Sequence, residues 1–186
     1  MFDINTDEFY MDIALKEANI AYNNGDVPIG CVIIYNKNEN FINLDKINKN
    51  APMEMFKKIE AIDNKNDIVI LSKAYNRRYI DKDAIRHAEI IAISEACKKI
   101  NEYRLDGCTM YVNLEPCQMC AGAILQSRIK KLVIARKSIK SGSCGSIINI
   151  LQNENFNHIV DIKYGVLENE SQALLKKYFK ELRNEN

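Results

Sequence analysis

Two cysteines three residues apart behind a proline, Pro116-Cys117-Gln118-Met119-Cys120, constrain this chain more than any other feature. Proline is favoured in the first turn of a helix, where its missing N–H costs nothing. A helix opening there projects both sulfurs from one face. Alone, such a pair fits a redox couple or half of a structural zinc site. His87-Ala88-Glu89 changes the reading, with Glu89 lying 28 positions before Cys117. Zinc takes tetrahedral N and S ligands, and a catalytic site uses three from the protein and keeps the fourth for water or substrate. His87, Cys117 and Cys120 make that count, for one Zn2+ per chain. A structural site wants a fourth ligand, and nothing in the spacing of Cys31, Cys97, Cys108, Cys144 or His158 recommends one. Glu89 lies about 200° around an ideal helix from His87. It is therefore left out of the ligand set and placed to move protons on and off water at the metal.

The rest of the chain alternates helical and strand periods. Residues 5–24 carry Tyr10, Ile13, Ala14, Ala18 and Ala21 at helical spacing, with Asn5 as the cap and Asn24-Gly25 as the stop. Ile29–Tyr35 is a continuous apolar, β-branched run, which predicts a buried strand. Asp67–Ala74, Thr109–Asn113, Lys131–Ala135 and Ile159–Lys163 supply four more strands. Ala88–Ile100 and Cys117–Gln126 read as helices, as do the short stretch Ile147–Gln152 and the final Glu168–Arg183. In that last helix Ala173, Leu174, Tyr178 and Leu182 are expected to face inward. Residues 75–86 and 136–146 read as loops. Residues 36–66 break the pattern with polar runs of low complexity around a short helical stretch, 52–62, that has Met55, Phe56, Ile59 and Ile62 on one side. The expectation is a solvated surface loop. Alternating strands and helices give an α/β class with both sheet faces covered, and the first two strands can pair antiparallel, which makes the sheet mixed.

At 186 residues the expectation is one domain over residues 1–186. No run of about 18 apolar residues exists to span a membrane. Met1-Phe2-Asp3-Ile4-Asn5 lacks the basic and apolar regions of a secretory signal, so six cysteines point to a reducing, cytoplasmic setting and to metal rather than disulfides. A net charge of +1 argues against broad non-specific nucleic-acid binding but leaves room for a local basic surface.

The arrangement His-x-Glu followed by Pro-Cys-x-x-Cys is the signature of zinc nucleobase deaminases, and the chain resembles the tRNA-specific adenosine deaminases within that superfamily. The closer resemblance is carried by Val27-Pro28-Ile29-Gly30, Asn76-Arg77-Arg78, His87-Ala88-Glu89-Ile90, Tyr103-Arg104-Leu105, Leu114 through Ile124, Ser127-Arg128-Ile129, Gly142 through Asn149, and Asn157-His158. With a gap between about 36 and 67, it covers most of residues 7–183, and because relatives usually join the first two strands by a tight hairpin it implies an insertion at about 36–66. It implies the three-layer α/β/α cytidine-deaminase-like fold with a mixed five-stranded sheet. It implies hydrolysis of a wobble adenosine to inosine in a tRNA anticodon loop, with Glu89 catalytic, and a homodimer. Asn76, Val27, Pro28 and Ala88 correspond to residues that grip the base. Candidate RNA contacts are Arg77, Arg78, Arg136 to Lys140, His158, Lys176, Lys177, Tyr178, Phe179, Lys180 and Arg183. Relatives often carry an acid in the loop after the strand ending at Ala135, whereas Arg136-Lys137-Ser138-Ile139-Lys140 has none. Two other classes share the zinc: a small-molecule deaminase for cytosine, guanine or deoxycytidylate, and a non-catalytic zinc-stabilised RNA-binding subunit. The presence of Glu89 speaks against the second.

Overall fold

A computed structural model describes residues 7–37, Lys57, Ile59 and 66–184. The continuous apolar run near residue 30 forms strand β1, Gly30–Asn36, and its first six residues are all buried. A strand buried on both faces belongs in the middle of a covered sheet. Accordingly β1 pairs antiparallel with β2, Ile68–Tyr75, on one side and antiparallel with β3, Cys108–Leu114, on the other. Strand β3 then pairs parallel with β4, Lys131–Arg136, and β4 parallel with β5, Asp161–Tyr164. The order β2-β1-β3-β4-β5 is the mixed five-stranded sheet that was expected.

Side chains alternate across these strands, and the core divides accordingly. Cys31, Ile33, Tyr35, Met110, Val112, Leu132 and Ile134 point to one face. There they meet α3, Ala88–Ile100, and α4, Gln118–Gln126, through Ile91, Ala92, Ala96, Ala121 and Ile124. Val32, Ile34, Tyr111, Val133 and Ala135 point to the other and meet Tyr10, Met11, Ala14 and Leu15 of α1, Asp7–Asn23. The last helix, α5, Glu168–Asn184, completes that layer. Among the described residues no helix is long and apolar enough to cross a membrane.

Four expectations change. The segment 75–86 contains one helical turn, α2, Arg78–Asp81. The stretch Ile147–Gln152 is not helical. Its amide groups serve a folded loop, with Ile147 N–H bonding Gly142 O at 3.1 Å and Ile150 N–H bonding Ser143 O at 3.0 Å. Helix α5 buries Ser171, Leu175 and Tyr178 rather than Ala173, Leu174 and Leu182. The Ser171 hydroxyl donates to Asn113 O at 2.6 Å, a buried tie that sets the rotation of the helix. Ile59 is fully buried and belongs to the same core cluster as Ile91, Ala92 and Ile124, so this residue of the segment 36–66 is not a solvated one. The Asn5 cap and most of the segment 36–66 lie outside the described residues.

The β1–β3 ladder ends at the pair Cys31 and Val112. Beyond it the strands part, and the buried Asn113 side chain stands in for the missing backbone partner. Its Oδ1 accepts from Gly30 N–H at 2.9 Å and its Nδ2 donates to Pro28 O at 3.0 Å. The crevice that opens lies at the carboxyl end of a parallel strand, where α/β sheets place their ligands.

Candidate active site

Helices α3 and α4 bring their N-termini together here. His87 is the N-cap of α3 and Cys117 the N-cap of α4, and neither caps its helix through its side chain. Cys120 lies in the first turn of α4. The three ligand atoms form a triangle: Sγ to Sγ 3.7 Å, Cys117 Sγ to His87 Nδ1 3.8 Å, and Cys120 Sγ to His87 Nδ1 3.5 Å. With Zn–S about 2.3 Å and Zn–N about 2.0 Å at tetrahedral angles, the edges come to about 3.8 and 3.5 Å. The triangle already has zinc's dimensions, and it is the metal-competent group among the described residues. Two helix N-termini add partial positive charge, which favours thiolate. Hydrogen bonding to Cys120 and then to His87 lowers Cys117 to about 4, whereas the bond to Cys117 and burial push Cys120 up. The bond to Cys117 also raises His87.

Glu89 sits beside this triangle in the first turn of α3, 2% exposed. Burial raises its pKa, and its carboxyl lies against Cys120. Its Oε2 has no protein hydrogen-bond partner among the described residues. A buried carboxylate oxygen so placed is a costly feature unless a ligand or water meets it. The donor set, the edge lengths and this orphaned oxygen all fit a catalytic zinc.

The triangle opens through His87 into a cleft of about 800 Å³. Val27, Ile29 and Leu114 give it apolar walls, and Asn76 lies among them. Asn76 is buried and its Oδ1 accepts from Ala88 N–H at 2.9 Å, which satisfies one of the free amides at the start of α3 and leaves the Nδ2 group to the cleft. Asp26, fully buried, ties the wall to α2 through Val27 N–H at 2.8 Å and Tyr79 N–H at 2.9 Å. The mouth is ringed by Arg78, Arg136, Lys137, Lys140, Lys176, Lys180 and Arg183, with no Asp or Glu among the lining residues. Ile139, 87% exposed, and Phe179 add apolar surface at this rim.

Not every candidate reaches the cleft. Pro28 is buried and its carbonyl serves Asn113, and Ala88 is buried with its N–H on Asn76. Tyr178 packs between Tyr22 and Phe179 in the seam of α1 and α5. His158 bonds Ile129 O at 2.7 Å and fastens a loop away from the cleft. Ile29, Leu114 and Leu175 line the cleft without having been singled out. Their apolar character is indistinguishable in sequence from core.

Comparison with known proteins agrees with this geometry. The family model described as the cytidine and deoxycytidylate deaminase zinc-binding region matches residues 4–136. The tRNA-specific adenosine deaminase of Bacillus subtilis is 38% identical over 177 residues, covering 95% of this chain and 91% of the relative. The chain belongs to the tRNA-specific adenosine deaminases of this zinc deaminase family. The enzyme of that name from Aquifex aeolicus is 37% identical over 95% of this chain and 96% of its own. A solved structure from work on A-to-I editing by tRNA:A34 deaminases superposes with a TM-score of 0.69 at 30% identity, covering 89% of this deaminase and 98% of that chain.

Proposed function

We propose that this deaminase converts adenosine to inosine at the wobble position of a tRNA anticodon. The observation that carries the reading is the zinc-sized His/Cys/Cys triangle, with the buried Glu89 carboxyl beside it, meeting through His87 a cleft lined by seven cations and no acid. A polyanion is the ligand such a mouth suits, and a base turned out of its stack is what the apolar walls beside His87 suit. Net, the C6–N bond of adenine breaks, water adds its oxygen at C6, and ammonia leaves.

His87, Cys117 and Cys120 would hold zinc, which when bound activates water for attack. Glu89 takes a proton from that water and delivers it to the ring nitrogen. It then shuttles a second proton to the departing amine. Burial suits it to both tasks, because it raises the carboxyl's pKa and so makes the group a better proton acceptor before it passes the proton on. Val27, Ile29 and Leu114 enclose the base and exclude water. The Asn76 Nδ2 group donates to the turned-out nucleotide. Phe179 offers a face on which a neighbouring base can stack.

The remaining features follow as proposals. An enzyme acting on tRNA works inside the cell, and we place it in the cytoplasm. We also propose a homodimer, supported by Tyr79, Ile80 and Ile85, which are exposed within one short segment beside the cleft; sedimentation of the zinc-loaded protein tests this. The decisive assay for function is inosine formation on an anticodon stem-loop with adenosine at the wobble position. Glu89→Ala should abolish it with zinc retained. Turnover of free cytidine, guanine or adenosine in place of the stem-loop would overturn the tRNA reading and keep the catalytic residues.

A further inference from the structure

Glu115 precedes the first zinc cysteine by two residues, but its carboxylate faces the other way, into the loop that follows β4. It is 3% exposed, and both oxygens are filled. Oε2 accepts from Ser138 N–H at 2.9 Å and from the Ser146 hydroxyl. Oε1 accepts from Cys144 N–H and Ser146 N–H, each at 3.0 Å. Three residues spread across 138–146 thus converge on one side chain. The loop closes over it so tightly that a Cβ at Gly142 would overlap the Glu115 carboxyl and Ser138 O. Backbone ties flank the hub: Glu115 N–H bonds Arg136 O and Ser143 N–H bonds Pro116 O, both at 2.9 Å.

Between β4 and β5 the chain forms neither helix nor strand, only an isolated bridge between Cys144 and Asn149. Its shape therefore depends on side-chain partners, and a charged acceptor of four hydrogen bonds is the strongest kind on offer. This same loop presents Lys137, Ile139, Lys140 and Ser141 to the cleft, across from Lys176 and Lys180 of α5.

We infer that Glu115 is a positioning residue for the RNA. It touches no reacting atom, yet it fixes the basic loop as one bank of the substrate channel. The inference rests on the tRNA reading above for the identity of the ligand, but the hold on the loop is independent of it.

Glu115→Gln is the discriminating variant. It keeps the side chain's size and one oxygen, but turns an NH₂ donor toward donors that now have no acceptor. Ser146→Ala is the milder companion, removing one donor without disturbing Glu115. In hydrogen exchange, the amides of Ser138, Cys144 and Ser146 should lose protection in Glu115→Gln while α3, α4 and the sheet keep theirs. Zinc content should match wild type. KM for the stem-loop should rise about tenfold with kcat within about threefold, and Ser146→Ala should move in the same direction by less. Unchanged loop exchange, or freed loop amides with an unchanged KM, overturns the inference. So does loss of zinc in step with activity, which would make Glu115 a support for the metal helix. A wild type that neither binds nor deaminates the stem-loop overturns the tRNA reading instead, and the exchange result then judges the hold on the loop by itself.

Discussion

Raising salt from 50 to 200 mM should weaken stem-loop binding by about 100-fold. The figure follows from the mouth of the cleft. Of its seven cations, Arg136 lies 3.7 Å from Glu168 and Lys137 sits over the Tyr164 ring at 5.1 Å, so both are partly spent within the protein. Arg78, Lys140, Lys176, Lys180 and Arg183 make no salt bridge among the described residues and can each meet a phosphate. Single-stranded nucleic acid releases about 0.7 counterion per phosphate neutralised, so five contacts give a log–log slope of about −3.5. The perturbation is the pair Lys176→Gln and Lys180→Gln, which should bring the slope to about −2 and the salt effect to about 20-fold. The assay is fluorescence anisotropy of a labelled anticodon stem-loop in the Glu89→Ala background, so that no turnover confuses the signal. A wild-type slope shallower than about −1, or a slope unchanged in the double variant, would refute the assignment of this rim to the phosphate backbone.

Replacing Cys117 with serine should leave the protein without stoichiometric zinc by elemental analysis. A chelator should lower the melting temperature of wild type by at least about 5 °C, because metal held at 100 times its Kd contributes about 2.7 kcal/mol. Gly30→Ala should cost about 3 kcal/mol, seen as a melting point lower by roughly 6–12 °C. Its Cβ would collide with the backbone O of Ala14 and N of Ala18, and neither can move without shifting α1; a change under 2 °C would show that the helix does not pack there. Asp7 gives a pH test. Burial pushes its pKa up, but Lys163, Tyr111 and Lys131 outweigh burial and hold it below its ordinary 3.8. A lowered carboxylate contributes stability above its unfolded pKa and loses it as the pH falls through the folded one. Urea unfolding at pH 6 and pH 3 should therefore show a smaller difference in Asp7→Asn than in wild type.

The zinc triangle was legible because its geometry is local: an i, i+3 pair at one helix start and a histidine at another leave little freedom once the helices meet. The strands were legible for a similar reason, since a run such as Gly30–Asn36 can be covered on both faces in few ways. The rotation of α5 was not. Its apolar residues allow two inward faces, and the choice rests on a hydroxyl meeting Asn113, 58 residues earlier. The partners of His158 and Tyr178 were not legible either, because an aromatic or imidazole ring names no partner in sequence, and theirs are Ile129 O and Tyr22. Pro28 and Ala88 lie in the motifs yet turn toward the protein's own amides and carbonyls. The role of Glu115 was hidden by its motif, where the neighbouring cysteines account for the whole pattern.

The acid-free mouth has a consequence for kinetics. Taking its seven cations from a chain of net charge +1 leaves −6 on the rest of the sequence, so positive charge is concentrated at the mouth of a nearly neutral molecule. An approaching polyanion is drawn toward this cluster of cations. Such steering shortens the search before any phosphate contact is made, and it fades within a Debye length of about 8 Å at physiological salt. The charge at the mouth therefore sets how often RNA finds the site as well as how tightly its backbone is held, and the choice of base is left to the apolar walls of Val27, Ile29 and Leu114.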